Sequence, residues 1–425
     1  MDEIKKIGLL GEKLGHSYSK LIHEMISDNP YEFYEVPKEE FDDFMIRKEF
    51  DAINVTIPYK EKVLPYLDYI SEKAKKIGSV NTIVNRDGKL YGYNTDYDGF
   101  KYLVLKNNFD IKDSKCLVLG SGGTSKTVCE VLKDLNAKEV FVATRKKTDE
   151  LNYVNYEDVN YDEFDFIINT TPVGMYPNIG ESLINCKLKH VKGIIDVIYN
   201  PLRTKCHFLN EDVKYQSGLE MLIYQAIKSH KIFFGEDSEI DDETILSIEA
   251  TIKPSMLNIV LIGMPGSGKT TIAKKIEQTL DFKVVDTDEL IEKRFGYKVN
   301  EIFSLFGEEK FREYESMIIK EVAIMKRTVI ATGGGVILNK DNMDLLRANG
   351  IVIYIKRDLE EIINDFDYSR PLAKNVEELK EIYEERKEIY ERYADISFSS
   401  ETLLEIVDFV ASLGEGEEND NYPKV

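Results

Sequence analysis

Residues Leu257-Asn-Ile-Val-Leu-Ile-Gly263-Met-Pro-Gly266-Ser267-Gly268-Lys269-Thr270-Thr271 constrain this chain more than any other stretch. A short apolar run ends in a glycine-rich turn, and a helix-like run, Ile272–Ile276, follows. The turn fits G-x-x-x-x-G-K-[ST], the loop that cradles phosphates. Glycines let backbone N–H groups converge on an anion, and the following helix adds its positive N-terminal end. The motif predicts that Lys269 reaches the β- and γ-phosphates and that the Thr270 hydroxyl ligates Mg²⁺. A P-loop normally follows the first strand of its own domain, so everything before Leu257 needs a separate account. The chain reads as two proteins in series.

A length of 425 residues fits about two or three domains. The net charge of -21 disfavours nucleic acid or an anionic membrane as partner, because both attract basic surfaces. Cys116, Cys129, Cys186 and Cys206 show no C-x-x-C spacing, and the histidines form no metal-binding group. Reduced thiols and a cytoplasmic location are expected. No apolar run reaches a membrane span, and Met1-Asp-Glu-Ile-Lys-Lys lacks the apolar stretch of a signal peptide.

Residues 4–106 alternate apolar runs with amphipathic segments, the pattern of an α/β domain. Ile7–Leu10, Tyr31–Val36, Ala52–Thr56 and Ser79–Val84 read as strands. Leu21–Ile26, Phe41–Phe50, Lys60–Ile77 and Tyr97–Asn107 read as helices. Polar clusters at the strand ends (His16 to Ser19, Asn54 to Glu61, Gly78 to Thr82 and Asn94 to Asp96) suggest one shared ligand site, because open α/β sheets bind ligands there. Singly, each cluster reads first as turn or cap chemistry, which Ser and Asn favour.

A second strand–turn–helix unit runs from Lys115 through Gly120-Ser121-Gly122-Gly123-Thr124 into Lys126–Leu135. Its glycines would let the backbone approach a pyrophosphate. The next strand, Glu139–Thr144, ends in Arg145-Lys146-Lys147. A basic residue there accommodates the 2′-phosphate of NADP, where an NAD site carries an acid. Strands at Asp165–Asn169 and Gly193–Val197 extend the sheet, and a helix near Gly218–Phe234 closes the unit.

The run His16-Ser17-Tyr-Ser19, Asn54-Val-Thr56-Ile-Pro-Tyr-Lys60, Ser79-Val-Asn81-Thr82, Asn94-Thr95-Asp96, Gly120-Ser-Gly-Gly123, Asn169 to Met175, Asp196 to Pro201 and Gly218 to Gln225 resembles shikimate dehydrogenase, across residues 4–235. The resemblance implies that Ser17 and Ser19 hold the substrate carboxylate and that Thr56, Asn81, Tyr199 and Gln225 surround the ring hydroxyls. It makes Lys60 and Asp96 the proton-transfer pair. It also implies NADP contacts at Gly120, Ser121, Gly122, Gly123, Thr124, Thr144, Arg145, Lys146, Val197 and Gly218. Four positions depart from the family pattern: Lys20, Tyr97, Lys146 and Glu220. Tyr97 is expected to put a bulky ring beside the Asp96 carboxylate.

Residues 236–256 are acidic and polar, which reads as a boundary kept extended by charge repulsion, with room for a short helix at Thr244–Thr251. Beyond the P-loop lie Asp286-Thr-Asp288, Phe311-Arg312-Glu-Tyr-Glu315, Thr332 to Gly335 with Gly334 central, Ser369-Arg370-Pro-Leu372 and Tyr383 to Tyr390 around Arg386. Asp-x-Asp after a strand puts one carboxylate near Mg²⁺ and another where it can take a hydroxyl proton. Taken singly, the arginines are equally helix-surface charges. Together these residues resemble shikimate kinase, across residues 257–413. That resemblance implies shikimate contacts at Asp288, Arg312, Gly334 and Arg386, and ATP-phosphate contacts at Gly266, Ser267, Gly268, Lys269, Thr270 and Thr271. It also implies a lid arginine at Arg370 and an outer-shell Mg²⁺ position at Asp286.

The expected organisation is an α/β substrate domain at 1–106 with about 230–245, a Rossmann-like NADP domain at 107–229 and a linker at 246–256. A P-loop domain similar to the nucleoside-monophosphate kinases at 257–413 and a disordered tail at 414–425 complete it. The expected activity is reduction of 3-dehydroshikimate with NADPH, then phosphorylation of shikimate with ATP and Mg²⁺. Two other readings stay open: a quinate/shikimate dehydrogenase joined to a kinase of another small carboxylic polyol, and a non-catalytic sensor of pathway intermediates. Oligomeric state is not legible.

Overall fold

The computed structural model describes residues 6–15, 17–145, 152–236, 240–366 and 373–415. They form two units: Met1–Val173 with Leu183–Leu202 and Leu209–Glu249, and Gly174–Ser182 with Arg203–Phe208 and Ala250–Val425. The stretch 107–229 is therefore divided, with two of its segments grouped in the second unit.

The first unit holds two sheets. Strands β1 (Ile7–Gly11), β2 (Tyr31–Glu35), β3 (Ala52–Val55), β4 (Tyr69–Ile70), β5 (Thr82–Arg86) and β6 (Lys89–Tyr93) are ordered β2-β1-β3-β5-β6-β4. β1 runs parallel to β2 and β3, whereas β5 is antiparallel to β3 and β6. Helices α1 (Ser19–Ile26), α2 (Phe41–Arg47), α3 (Glu72–Ile77) and α4 (Asp96–Lys106) accompany them. The segment 60–77 is not one helix. Pro65 sits in a short 3-10 turn, Tyr69–Ile70 pairs with β6, and only Glu72–Ile77 is α-helical, capped by Ser71 and closed by Gly78 at φ 71°. The β5–β6 hairpin had a sequence signal, Asp87-Gly88. Both residues take positive φ, 52° and 79°, as a tight hairpin turn requires.

The second sheet, β7 (Lys115–Leu119), β8 (Glu139–Thr144), β9 (Tyr153–Asn155), β10 (Phe166–Asn169), β11 (Gly193–Asp196) and β12 (Lys214–Gln216), is ordered β12-β11-β10-β7-β8-β9 and wholly parallel. Its central strands are unbroken apolar runs because both faces are covered. Helices α5 (Gly123–Asp134) and α7 (Leu219–Phe234) follow, while α6 (Lys205–Leu209) lies almost wholly in a segment grouped with the second unit. The winding reverses between β7 and β10, which opens a crevice at their carboxyl ends.

Residues 242–256 are helical (α8, Asp242–Met256), so the short helix allowed at Thr244–Thr251 is present but runs longer, through residues expected to be extended. Ile245, Ile248, Ile252 and Met256 form a buried stripe at helical spacing, and that burial outweighs the charge repulsion. Acids in the first turn and Lys253 in the last suit the helix dipole.

In the second unit, β13 (Asn258–Ile262), β14 (Lys283–Asp286), β15 (Thr328–Ala331), β16 (Gly350–Lys356) and β17 (Ile396–Ser399) form a parallel sheet ordered β14-β15-β13-β16-β17. Its helices are α9 (Lys269–Thr279), α10 (Thr287–Phe295), α11 (Val299–Val322), α12 (Lys340–Arg347), α13 (Leu359–Asp365), α14 (Val376–Tyr393) and α15 (Leu403–Glu415). Gly307, at φ 81°, breaks α11 internally.

One buried contact fixes the loop that carries Lys60. The Tyr59 hydroxyl donates to the Val36 carbonyl at 2.5 Å, and its ring stacks on Phe41 at 4.4 Å. Tyr59→Phe leaves that carbonyl unpaired and is expected to cost about 1–2 kcal/mol in urea unfolding. An unchanged transition would show that the hydroxyl does not anchor the loop.

Candidate active sites

The first site forms where β3, β5 and α4 end or begin. Lys60 Nζ and Asp96 Oδ2 lie 2.5 Å apart, with both side chains largely buried. The other carboxylate oxygen accepts from Asn81 Nδ2 at 2.9 Å, and the same amide reaches Gln225 Oε1, on α7, at 3.3 Å. Four sequence candidates are thus joined by direct hydrogen bonds. Ser17, Ser19 and Tyr199 form a second group. Ser17 Oγ donates to Ser19 Oγ at 3.1 Å, and Tyr199 hydrogen-bonds Ser17. Burial pushes the Tyr199 phenol up to about 12, so it remains a neutral hydroxyl. Thr56 follows β3, tied through its backbone N–H to the Leu10 carbonyl at 2.9 Å.

Tyr97 does not crowd Asp96. Its hydroxyl donates to Asp134 Oδ2 at 2.7 Å and Lys73 lies over its ring at 4.0 Å, so the ring clamps α4 against α5. The Glu220 carboxylate takes a hydrogen bond from Asn107 at 2.5 Å. Lys20 pairs with Glu24 at 3.7 Å, inside α1, which starts at Ser19.

The glycine-rich turn after β7 lies beside this centre. A Cβ at Gly123 would sit 2.9 Å from Ser79 Oγ and 3.6 Å from the Lys60 Cβ. Gly120, at φ 109°, packs against Thr170 and Thr171 after β10, which places the turn in the crevice. Ser121 and Gly122 are exposed, and Gly123 and Thr124 open α5. Thr144 ends β8 with its hydroxyl 3.3 Å from Ser121 Oγ, and Arg145 follows, exposed. A Cβ at Gly218 would collide with the Val197 carbonyl oxygen. Open glycine positions at a helix N-terminus beside a basic residue fit a dinucleotide phosphate group. Lys146 lies outside the described residues.

The second site is built on the P-loop. Gly263, Gly266 and Gly268 take positive φ, which a Cβ would strain. Ser267 is buried, Gly268 and Thr271 are exposed, and the turn feeds α9. Lys269 Nζ donates to the carbonyls of Gly263 and Met264 at 2.8 and 2.9 Å. Thr270 Oγ1 donates to Asp286 Oδ2 at 2.8 Å, while Asp286 Oδ1 caps α10 through Asp288 N–H at 2.9 Å.

Beside the P-loop, Asp288, Arg312 and Arg386 converge on the turn Gly333-Gly334-Gly335. A Cβ at Gly333 would lie 2.8 Å from Asp288 Oδ1, one at Gly334 would strike Pro265, and one at Gly335 would strike the Arg312 guanidinium. Arg386 Nη1 and the Tyr390 hydroxyl both donate to the Gly334 carbonyl, at 3.2 and 2.5 Å. The turn must be glycine because side chains from α10 and α11 occupy its surface at Gly333 and Gly335 and the P-loop's Pro265 does so at Gly334. Arg370 lies outside the described residues.

Two residues here were missed from sequence. Glu315 is fully buried, accepts from Arg312 Nη1 at 3.0 Å and points its other oxygen at Gly333. Burial pushes its carboxyl up to about 7, against the pull of Arg312. Arg357 Nη1 donates to the Gly266 carbonyl at 2.8 Å, bracing the P-loop. Both sit among many charges, so only their tertiary contacts single them out.

Residues 9–83 match the family model for the shikimate dehydrogenase substrate binding domain, and residues 265–411 match that for shikimate kinase. A shikimate dehydrogenase (NADP(+)) from Clostridium beijerinckii is 39% identical over 256 residues, spanning 56% of this chain and 93% of that protein. One from Caldicellulosiruptor bescii is 41% identical over 262 residues, spanning 54% and 90%. A chorismate mutase/shikimate 5-dehydrogenase fusion protein from Clostridium acetobutylicum superposes with a TM-score of 0.52 at 39% identity, covering 58% of this chain and 96% of that one. A shikimate 5-dehydrogenase from Thermus thermophilus, solved with NADP(H) and shikimate, gives 0.50 at 26% identity over 58% and 98%.

Glu315 supplies a pH test. Its folded value near 7 lies above the ordinary 4.5, so folding favours the protonated acid. The stability this provides is complete below about pH 4.5 and is lost as pH rises through about 7. Unfolding free energy of the native protein is expected to fall more steeply over that window than that of Glu315→Gln. Parallel pH profiles would refute the buried-acid assignment.

Proposed function

This chain belongs to the shikimate dehydrogenase family and carries a shikimate kinase domain behind it, a two-enzyme chain of aromatic biosynthesis, and from that premise we propose that its first unit reduces 3-dehydroshikimate to shikimate with NADPH and its second phosphorylates that product to shikimate 3-phosphate with ATP. The observation that carries the reading is the Lys60–Asp96 pair at 2.5 Å, beside the glycine turn that opens α5. Reduction of a ketone leaves an alkoxide that needs both stabilisation and a proton, and the Lys60 ammonium provides them. Asp96 holds that ammonium in place and accepts from a substrate hydroxyl. Thr56, Asn81, Tyr199 and Gln225 surround the ring hydroxyls, and Ser17 and Ser19 offer hydroxyls to the carboxylate. NADPH supplies the hydride when bound, with Arg145 and Lys146 suited to its 2′-phosphate.

In the second unit Asp288 accepts the proton of the attacking hydroxyl, and Arg312 and Arg386 present guanidinium forks to the carboxylate. Lys269 exchanges its loop carbonyls for phosphate oxygens. The Thr270 hydroxyl is a hard oxygen donor that would hold Mg²⁺, with the Asp286 carboxylate, 2.8 Å from it, in the ion's outer shell, and the ion would neutralise charge on the ATP phosphates. Arg370 takes the lid role that the family pattern gives it. Among the described residues no helix is long and apolar enough to cross a membrane, and we place the enzyme in the cytoplasm.

The test separates the two chemistries on one chain. Lys60→Ala is expected to lower dehydrogenase kcat by about 10²–10⁴-fold while phosphorylation of added shikimate persists. Lys269→Ala should do the reverse. If either substitution silenced both reactions in a folded protein, the assignment of one chemistry to each unit would fail.

A further inference from the structure

A directional hydrogen-bond chain runs beneath the first site, through residues that touch neither substrate nor cofactor in the reading above. It begins at Tyr31, fully buried on β2, whose hydroxyl donates to Asn54 Oδ1 at 2.8 Å. Ser229 Oγ, on α7, lies 3.3 Å from the same oxygen and 2.9 Å from the Ala226 carbonyl, the nearer acceptor of its one proton. With its oxygen taken by the Tyr31 hydroxyl, Asn54 turns its Nδ2 toward Thr82 Oγ1, at 3.3 Å, and toward the Asn81 carbonyl, also at 3.3 Å. Thr82, fully buried at the start of β5, then points its own proton onward. Its hydroxyl is 3.0 Å from Asn81 Oδ1 and 3.2 Å from Thr95 Oγ1. Asn81 Oδ1 also accepts the Thr95 N–H at 2.7 Å. Asn81 Nδ2 consequently faces Asp96 Oδ1, which leaves Oδ2 for Lys60.

Each link sets the polarity of the next. An Asn81 amide turned end for end would set its oxygen against the Asp96 carboxylate, acceptor against acceptor, and the carboxylate would lose the donor that fixes its plane. The ring of His23 stacks on Tyr31 at 4.1 Å and closes the far end. Burial pushes that imidazole down to about 3, so no cation lies under the chain.

We infer that Thr82 is a positioning residue of the dehydrogenase, which with Asn54 and Tyr31 fixes the Asn81 amide and through it the carboxylate that aims Lys60. This rests on the proposed role of Lys60 and Asp96 in proton transfer. The contribution falls chiefly on the reaction step, because the chain orients the proton-transfer pair and leaves the Ser17, Ser19 and Tyr199 group untouched, with a smaller effect on shikimate binding through Asn81, which also faces the ring.

The test uses the full chain. Thr82→Val keeps the side-chain shape and removes the hydroxyl. It is expected to lower dehydrogenase kcat about tenfold, the effect of one lost buried hydrogen bond, with KM for shikimate and NADP⁺ changed less than twofold. Thr82→Ser should restore most of the rate, and Tyr31→Phe should lower kcat by a smaller factor in the same direction. Thr82→Val with native kcat would overturn the inference, as would Thr82→Ser as slow as Thr82→Val, or a loss expressed in KM alone. If Thr82→Val did not fold, native kcat in Tyr31→Phe would overturn it. Lys60→Ala assayed alongside separates the two failures: full activity there would sink the proton-transfer reading, while its loss with an unaffected Thr82→Val would sink only the positioning role.

Discussion

The first unit is organised around a buried ion pair. Withdrawing Lys60 and Asp96 from water carries a desolvation cost of several kcal/mol per ion, and their attraction offsets it only where geometry and further hydrogen bonds are good. The surrounding fold supplies both. Tyr59 pins the loop ahead of Lys60 to the Val36 carbonyl, α4 presents Asp96 in its first turn, and Asn81 satisfies the second carboxylate oxygen. A pair held this firmly by the fold suits the role proposed for Lys60, an acid for a developing alkoxide.

The second unit meets the same difficulty with a different charge balance. Arg312 and Arg386 converge beside the carboxylates of Asp288 and the buried Glu315, and burial holds the latter up near 7. An anion entering between the guanidinium groups adds a charge that the arginines can meet with forked hydrogen bonds. The glycine turn 333–335 lets the three helices bring these groups together, since any side chain there would fill the space.

Legibility in the sequence followed the range of the interaction. The two glycine-rich turns were readable because a strand, a positive-φ turn and a helix are local demands written in adjacent residues. Asp87-Gly88 carried an equally local hairpin signal beside Ser79–Val84, and β6 follows it. The segment 60–77 misled because amphipathic spacing resembles a helix, although Pro65 and the pairing of Tyr69–Ile70 with β6 break it. Lys60 and Asp96, 36 residues apart, could be matched only through the family pattern. Glu315, Arg357, Thr82 and Asn54 were not assigned roles because burial and hydrogen-bond direction are tertiary facts. A glutamate on a surface helix and one under an arginine look alike in one dimension.

In the function proposed for this chain, the hydroxyl made by the first unit is the one the second unit phosphorylates. A kinase of this kind has no nucleophile on 3-dehydroshikimate at the position to be phosphorylated until the ketone is reduced. The most direct measurement supplies the full chain with 3-dehydroshikimate and ATP-Mg²⁺, adds or withholds NADPH, and follows NADPH oxidation and ADP release together. The account predicts no ADP release above background without NADPH, and with it one ADP for each NADPH consumed once shikimate reaches steady state. ADP release independent of NADPH, or NADPH oxidation with no ADP release, would contradict it.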